Sequence, residues 1–97
     1  MTSVAASRIT PTPMMENLDD STLYDVFFES GTMLGGYLQS LMDSAEASND
    51  DDAYRRWFAE SLELNRHRMN TKHSDREEQI RLKREWDDRR RYLKTLL

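Results

Sequence analysis

The side chains able to carry chemistry are few. His67 and His73 stand six positions apart, on different faces of any helix holding both, and no thiol or carboxylate cluster joins them as a metal site. Gly31-Thr32-Met33-Leu34-Gly35-Gly36 is glycine-rich. A phosphate-cradling loop follows a strand, however, and this run lies inside a helical repeat. No nucleophile elbow occurs. These residues specify no catalytic centre and no cofactor, and the chain reads as non-enzymatic. Two basic runs, Arg81-Leu82-Lys83-Arg84 and Arg89-Arg90-Arg91-Tyr92-Leu93-Lys94, could meet phosphates. Interleaved acids predict Glu85 paired with Arg89 and Asp87 with Arg91, four apart on a helix, which spends much of that charge on a solvated face. A small DNA-binding regulator is therefore the lesser reading. What remains is protein recognition, for which Trp57, Phe58, Trp86 and Tyr92 supply anchors and Arg89 to Arg91 bidentate donors.

Helices must position these groups. Asp50 to Met69 starts acidic, as the positive end of a helix dipole favours, and contains no Gly or Pro. Tyr54, Trp57, Phe58, Ser61, Leu62, Leu64, Asn65 and Met69 fall in one arc of about 160° at 100° per residue. Such a face asks to be covered. Upstream, Leu23, Phe27, Ser30, Leu34, Tyr37, Leu41 and Ala45 alternate spacings of four and three, with Val26, Met33 and Leu38 widening the stripe. Asp20 or Ser21 caps this first helix, which runs over about 21–47 with a break at Gly35-Gly36 as a competing possibility. Downstream, Ser74-Asp75-Arg76-Glu77 has capping-box spacing and opens a helix over about 75–95 with a narrow seam of Gln79, Leu82, Trp86, Arg89, Leu93 and Leu96. A single helix over 50–95 is the alternative. The polar stretch from Arg66 to Gln79 favours a hairpin of two, the first spanning about 51–70.

The fold class is all-α: a three-helix bundle, or a helical hairpin with a third arm, over residues 20–97. Leu23, Val26, Phe27, Leu34, Leu38 and Leu41 are expected to meet Tyr54, Trp57, Phe58, Leu62 and Met69. Leu82, Trp86 and Leu93 close one side, and the last helix, poorest in apolar surface, is the least secure. Residues 1–19, rich in Ser, Thr and Pro, read as a disordered N-terminal arm, with Met14 or Met15 as a candidate translation start. Tyr24, Phe28, Gly31, Gly35 and Met42 share a smooth flank of the first helix, where internal packing competes with docking of a partner. Tyr24, Phe28, Gly31 and Gly35, with Trp86, Arg89, Arg90 and Tyr92, form the expected partner-binding set.

Composition points the same way. A chain of 97 residues buries little apolar surface, so support from a partner or from self-association is expected. The absence of cysteine fits a reducing cytoplasm, and no stretch is long enough to span a membrane. The net charge of −4 conceals a dipole: residues 1–52 set ten acids against Arg8, whereas residues 53–97 hold thirteen basic and eight acidic side chains. Opposite halves attract each other, and each can steer a partner.

The aromatic segment Tyr54-Arg55-Arg56-Trp57-Phe58-Ala59-Glu60-Ser61-Leu62 and the charged segment Arg84-Glu85-Trp86-Asp87-Asp88-Arg89-Arg90-Arg91-Tyr92, in a small acidic helical chain, resemble the antitoxins of the epsilon/zeta toxin–antitoxin family. The closest likeness is to the antitoxin-like chaperones encoded beside zeta-type kinase effectors of plant-pathogenic bacteria. The resemblance covers residues 20–97 as architecture, without a signature motif, and the three glycines of the first helix depart from it. It implies a bacterial cytoplasmic protein of three helices that neutralises or escorts a P-loop kinase by obstructing its nucleotide or substrate cleft, acids of the first helix answering basic groups there. The rival expectation is a homo-oligomeric coiled coil using the Leu82, Trp86, Leu93 seam.

Overall fold

The computed structural model describes residues 14–97. The expected arm falls mostly outside the described residues, at 1–13, so neither its course nor the translation start is addressed. Three helices follow: α1 (Asp20–Ala47), α2 (Asp51–Asn70) and α3 (Arg76–Lys94). α1 passes through Gly35 and Gly36 without a break, and a turn after Asn70 separates α2 from α3, as the hairpin reading requires.

The caps sit close to where the sequence places them. Asp19 rather than Asp20 or Ser21 caps α1, its Oδ1 accepting from the Thr22 N–H at 2.7 Å. Asp50 caps α2 through the Ala53 N–H at 3.1 Å. At α3 the expected Ser74–Glu77 box moves by one residue, because Asp75 accepts from the Glu78 N–H at 3.2 Å. A carboxylate outcompetes the neighbouring hydroxyl at the positive end of the dipole. Between α1 and α2 the chain reverses through Asn49, whose φ of 56° is a left-handed geometry that Asn tolerates better than most residues.

α1 lies in the middle and both other helices pack mainly against it, giving a flattened three-helix bundle 14 Å deep across its thinnest Cα dimension. Its core joins Phe27, Leu34, Leu38 and Leu41 of α1 to Leu64 of α2 and Leu82, Trp86 and Leu93 of α3, with Tyr24, Tyr37 and Trp57 against the edge. The two flanking helices exchange the roles expected of them. α3 buries Gln79, Ile80, Leu82, Trp86 and Leu93, whereas α2 buries Ala53 and Leu64. The seam of α3 is narrow but points wholly inward. The arc of α2 is wider than one neighbouring helix can cover, so Phe58, Leu62 and Met69, expected in the core, stand outside it, and Val26 is half-buried.

Polar contacts fasten the ends. The fully buried Gln79 donates from Nε2 to the Lys72 and His73 carbonyls at 2.8 and 3.0 Å, tying the α2–α3 turn to the first turn of α3. Residues 14–19, assigned to the arm by the sequence, take a defined course instead. A 3-10 turn spans Met15–Asn17, and Arg76 donates to the Glu16 and Leu18 carbonyls at 3.2 and 2.6 Å. Arg76 also meets Asp20 at 2.7 Å, and Arg84 meets Glu16 at 3.0 Å. The low hydropathy of this segment conceals what holds it: backbone carbonyls presented to Arg76 and the Glu16 carboxylate presented to Arg84, each arginine more than fifty positions away.

A candidate protein-binding surface

The eight residues expected to face a partner divide into two groups, and most are occupied by the fold itself. Gly31 is buried. A Cβ there would overlap Arg68 Cδ and lie 3.1 Å from Trp86 Cζ3, so the glycine lets the Arg68 stem and the indole close over the α1 backbone. At Gly35 a Cβ would lie 3.7 Å from Leu64 Cδ2. The smooth flank of α1 therefore receives α2. Arg68 completes that contact, its guanidinium 4.2 Å from the centroid of the Phe28 ring while Nη1 donates to the Phe28 carbonyl and Thr32 Oγ1 at 3.3 and 3.0 Å. Tyr24 is half-buried and stacks on His73 with ring centroids 3.8 Å apart.

On α3, Trp86 is 4% exposed and stacks on Phe27 at 5.2 Å, so it is a core residue and not a docking anchor. The seam that the coiled-coil alternative would use, Leu82, Trp86 and Leu93, is buried within one chain. Arg89 leaves its expected partner Glu85 and reaches across to α2, where Nε and Nη2 donate to the two oxygens of Glu60, each at 2.8 Å. This two-point fork spans a groove of about 340 Å³ between α2 and α3, floored by Leu34, Leu64 and Trp86. Arg90 is half-buried, 3.8 Å from Asp87, with a buried Nε that meets no acceptor. Of the set, Tyr92 is largely exposed and Phe28 partly so.

The pairing expected along α3 is also redrawn. Asp87 turns from Arg91 toward α1, accepting from Ser30 Oγ at 2.7 Å and from Lys83 Nζ at 2.5 Å. Arg91 pairs with Asp88 and Arg81 with Glu78 and Glu85. Local pairs three and four apart persist along α3, as in Lys83 with Asp87 and Arg81 with Glu85, while Arg89 and Asp87, which face the neighbouring helices, take partners across the bundle. Burial works against the charged form of Asp87, but the hydrogen bonds from Lys83 and Ser30 and the charges of Lys83 and Arg90 outweigh it, so its carboxyl sits below the ordinary aspartate value. Its contribution to stability is complete above the unfolded value of about 3.9 and disappears as pH falls through the lower folded value. Acid titration of the unfolding midpoint is expected to show this limb, and Asp87→Asn to flatten it.

With the last helix so neutralised, the uncovered features lie elsewhere. Tyr54, Phe58, Leu62 and Met69, at spacings of four, four and seven, form one stripe along α2. Phe58 is 45% exposed, Leu62 54% and Met69 82%. Tyr54 and Phe58 stack at 6.3 Å. Sequence reasoning named these residues but placed them inside. The readable sign was the excessive width of the arc, which one packing partner cannot fill. α1 carries no basic residue, and its acids Asp25, Glu29, Asp43 and Glu46 join no ion pair among the described residues. Among the same residues no group of three His, Asp or Glu side chains could hold a metal ion, and no helix is long and apolar enough to cross a membrane. Compared with known proteins, the chain matches no family model, no curated protein and no solved structure.

Proposed function

We propose that this chain is a non-enzymatic protein-binding module that neutralises or escorts a cognate protein by covering part of its surface. The observation that carries the reading is the uncovered stripe of α2: Phe58, Leu62 and Met69, with the half-buried Tyr54 beside them, leave apolar area in water that no element among the described residues covers. Fully burying one such side chain contributes roughly 1.5–3 kcal/mol, which a partner surface can recover. The resemblance to epsilon/zeta antitoxins supplies the class of partner, a zeta-like P-loop kinase acting as toxin or effector, with obstruction of its nucleotide or substrate cleft as the steric mechanism.

A photo-reactive amino acid placed at Leu62 in the native host is expected to give one discrete adduct with a second protein, and the same group at the exposed Glu77 of α3 none. Loss of nucleotide binding by the captured protein in the complex then tests the kinase assignment. Equal, diffuse labelling from both positions, or an adduct of the chain with itself alone, overturns the reading.

A further inference from the structure

The stripe of α2 does not stand alone on its side of the molecule. Glu60, on the opposite flank of α2, faces α3 through Arg89, so the stripe lies on the far side of the layer, where Arg68 reaches the Phe28 carbonyl and Thr32. Asp25, Glu29, Thr32, Gly36 and Asp43 of α1 repeat at four, three, four and seven and share that side, opposite the buried Phe27, Leu34 and Leu38. Here a shallow depression of about 600 Å³ is lined by Tyr24, Asp25, Phe28, Glu29 and Thr32, an aromatic floor between two carboxylates that join no ion pair among the described residues. Beside it Gly36 is bare, with nothing within 4 Å of where a Cβ would stand.

Resting on the protein-binding reading above, we infer that the element seated on this face is a basic amphipathic helix of the partner protein, laid along the back of α1 and the exposed stripe of α2. Charge complementarity selects it. The apolar side chains of such a helix meet Phe28, Phe58 and Leu62, its Lys and Arg residues meet Asp25, Glu29 and Asp43, and Gly36 lets the two backbones approach. An acidic partner segment is repelled by the same carboxylates. A second copy of this chain is a poorer match, because Arg55 and Arg66 beside its own stripe, and Arg81, Arg84 and Arg91 on α3, are already paired within the chain.

The probe is a fluorescent 20-residue synthetic helix with Leu along one face and Lys and Arg on the other, compared by anisotropy with a twin carrying Glu at every basic position. The basic peptide is expected to bind with an affinity that falls as salt rises, and the acidic twin not to bind. Gly36→Gln fills open space with a better helix former, so its melting temperature is expected to hold or rise while affinity for the basic peptide falls at least tenfold. Asp25→Lys with Asp43→Lys is expected to abolish the salt dependence, and Glu77→Lys on α3 to change affinity less than twofold. Binding of the acidic twin, an equal loss in the Glu77→Lys chain, unchanged affinity in Gly36→Gln, or sedimentation showing that this face joins two copies overturns the inference. An adduct at Leu62 without peptide binding removes the basic helix and leaves the protein-binding reading intact, whereas failure of both removes both.

Discussion

Trp86→Ala is expected to destabilise the isolated chain by about 3–5 kcal/mol, the range for deleting a buried aromatic side chain. The indole is 4% exposed, stacks on Phe27, and closes over Gly31 where α1, α2 and α3 meet. Domains of this size are stable by roughly 5–15 kcal/mol, so one truncation removes a large share of the total. At about 4–8 °C per kcal/mol, the melting temperature should drop by more than 10 °C. The measurement is a denaturant or thermal midpoint on the chain alone. Loss of partner binding in this variant then reports unfolding and not a lost docking contact. A midpoint within 2 °C of the parent would show the indole to be dispensable to the core.

Gly31→Leu is expected to be the most damaging change at any of the three glycines, costing up to about 3 kcal/mol from overpacking alone. The added side chain must displace the Arg68 stem, which costs the hydrogen bonds to the Phe28 carbonyl and Thr32, and must also press on Trp86. A gain in helix propensity of about 0.8–1 kcal/mol on leaving glycine offsets part of this. The contrast is Gly36→Ala, which meets nothing and keeps the whole propensity gain as added stability. Equilibrium unfolding of the two variants side by side tests the assignment. If both are stabilised, the close approach at Gly31 is not what holds α2 in place.

Much of this architecture is legible in the order of residues, for identifiable physical reasons. The alternating four and three spacing from Leu23 to Ala45 can bury only one way, and α1 buries Leu23, Phe27, Ser30, Leu34, Leu41 and Ala45 of that run, with Tyr37 half-buried. Helix ends marked by Asp and Ser fall within a residue or so of the observed caps, because short polar side chains at a helix start have few other uses. The packing partner of each face is not written locally. α2 and α3 both compete for α1, and the winner of the central positions is the helix whose apolar residues are confined to one line. Leu82, Trp86 and Leu93 satisfy that condition, while the apolar residues of α2 divide between the buried line of Ala53 and Leu64 and the exposed line of Phe58, Leu62 and Met69. Arg89, Arg68 and Arg76 show the same limit for charge. Each bonds a group 29 or more positions away, a choice that spacing along one helix cannot encode. The sequence pattern therefore places Leu62 and Met69 in the core and Trp86 at the interface, and the structure reverses both placements.

Because α1 is the shared middle layer, the chain makes its own folding wait. Ser30 and Asp87, which bond across the α1–α3 contact, are separated by 57 positions. At bacterial and eukaryotic elongation rates of 5–20 residues per second, the inner side of α1 stays without α3 for roughly 3–11 s of synthesis. Through that interval Phe27 and Leu34 emerge from the ribosome as bare apolar surface, with α2 alone to shelter them. Synthesis of this chain thus includes an interval in which one side of its central helix is uncovered, and a chain ending before Trp86 lacks the side chains that complete that core.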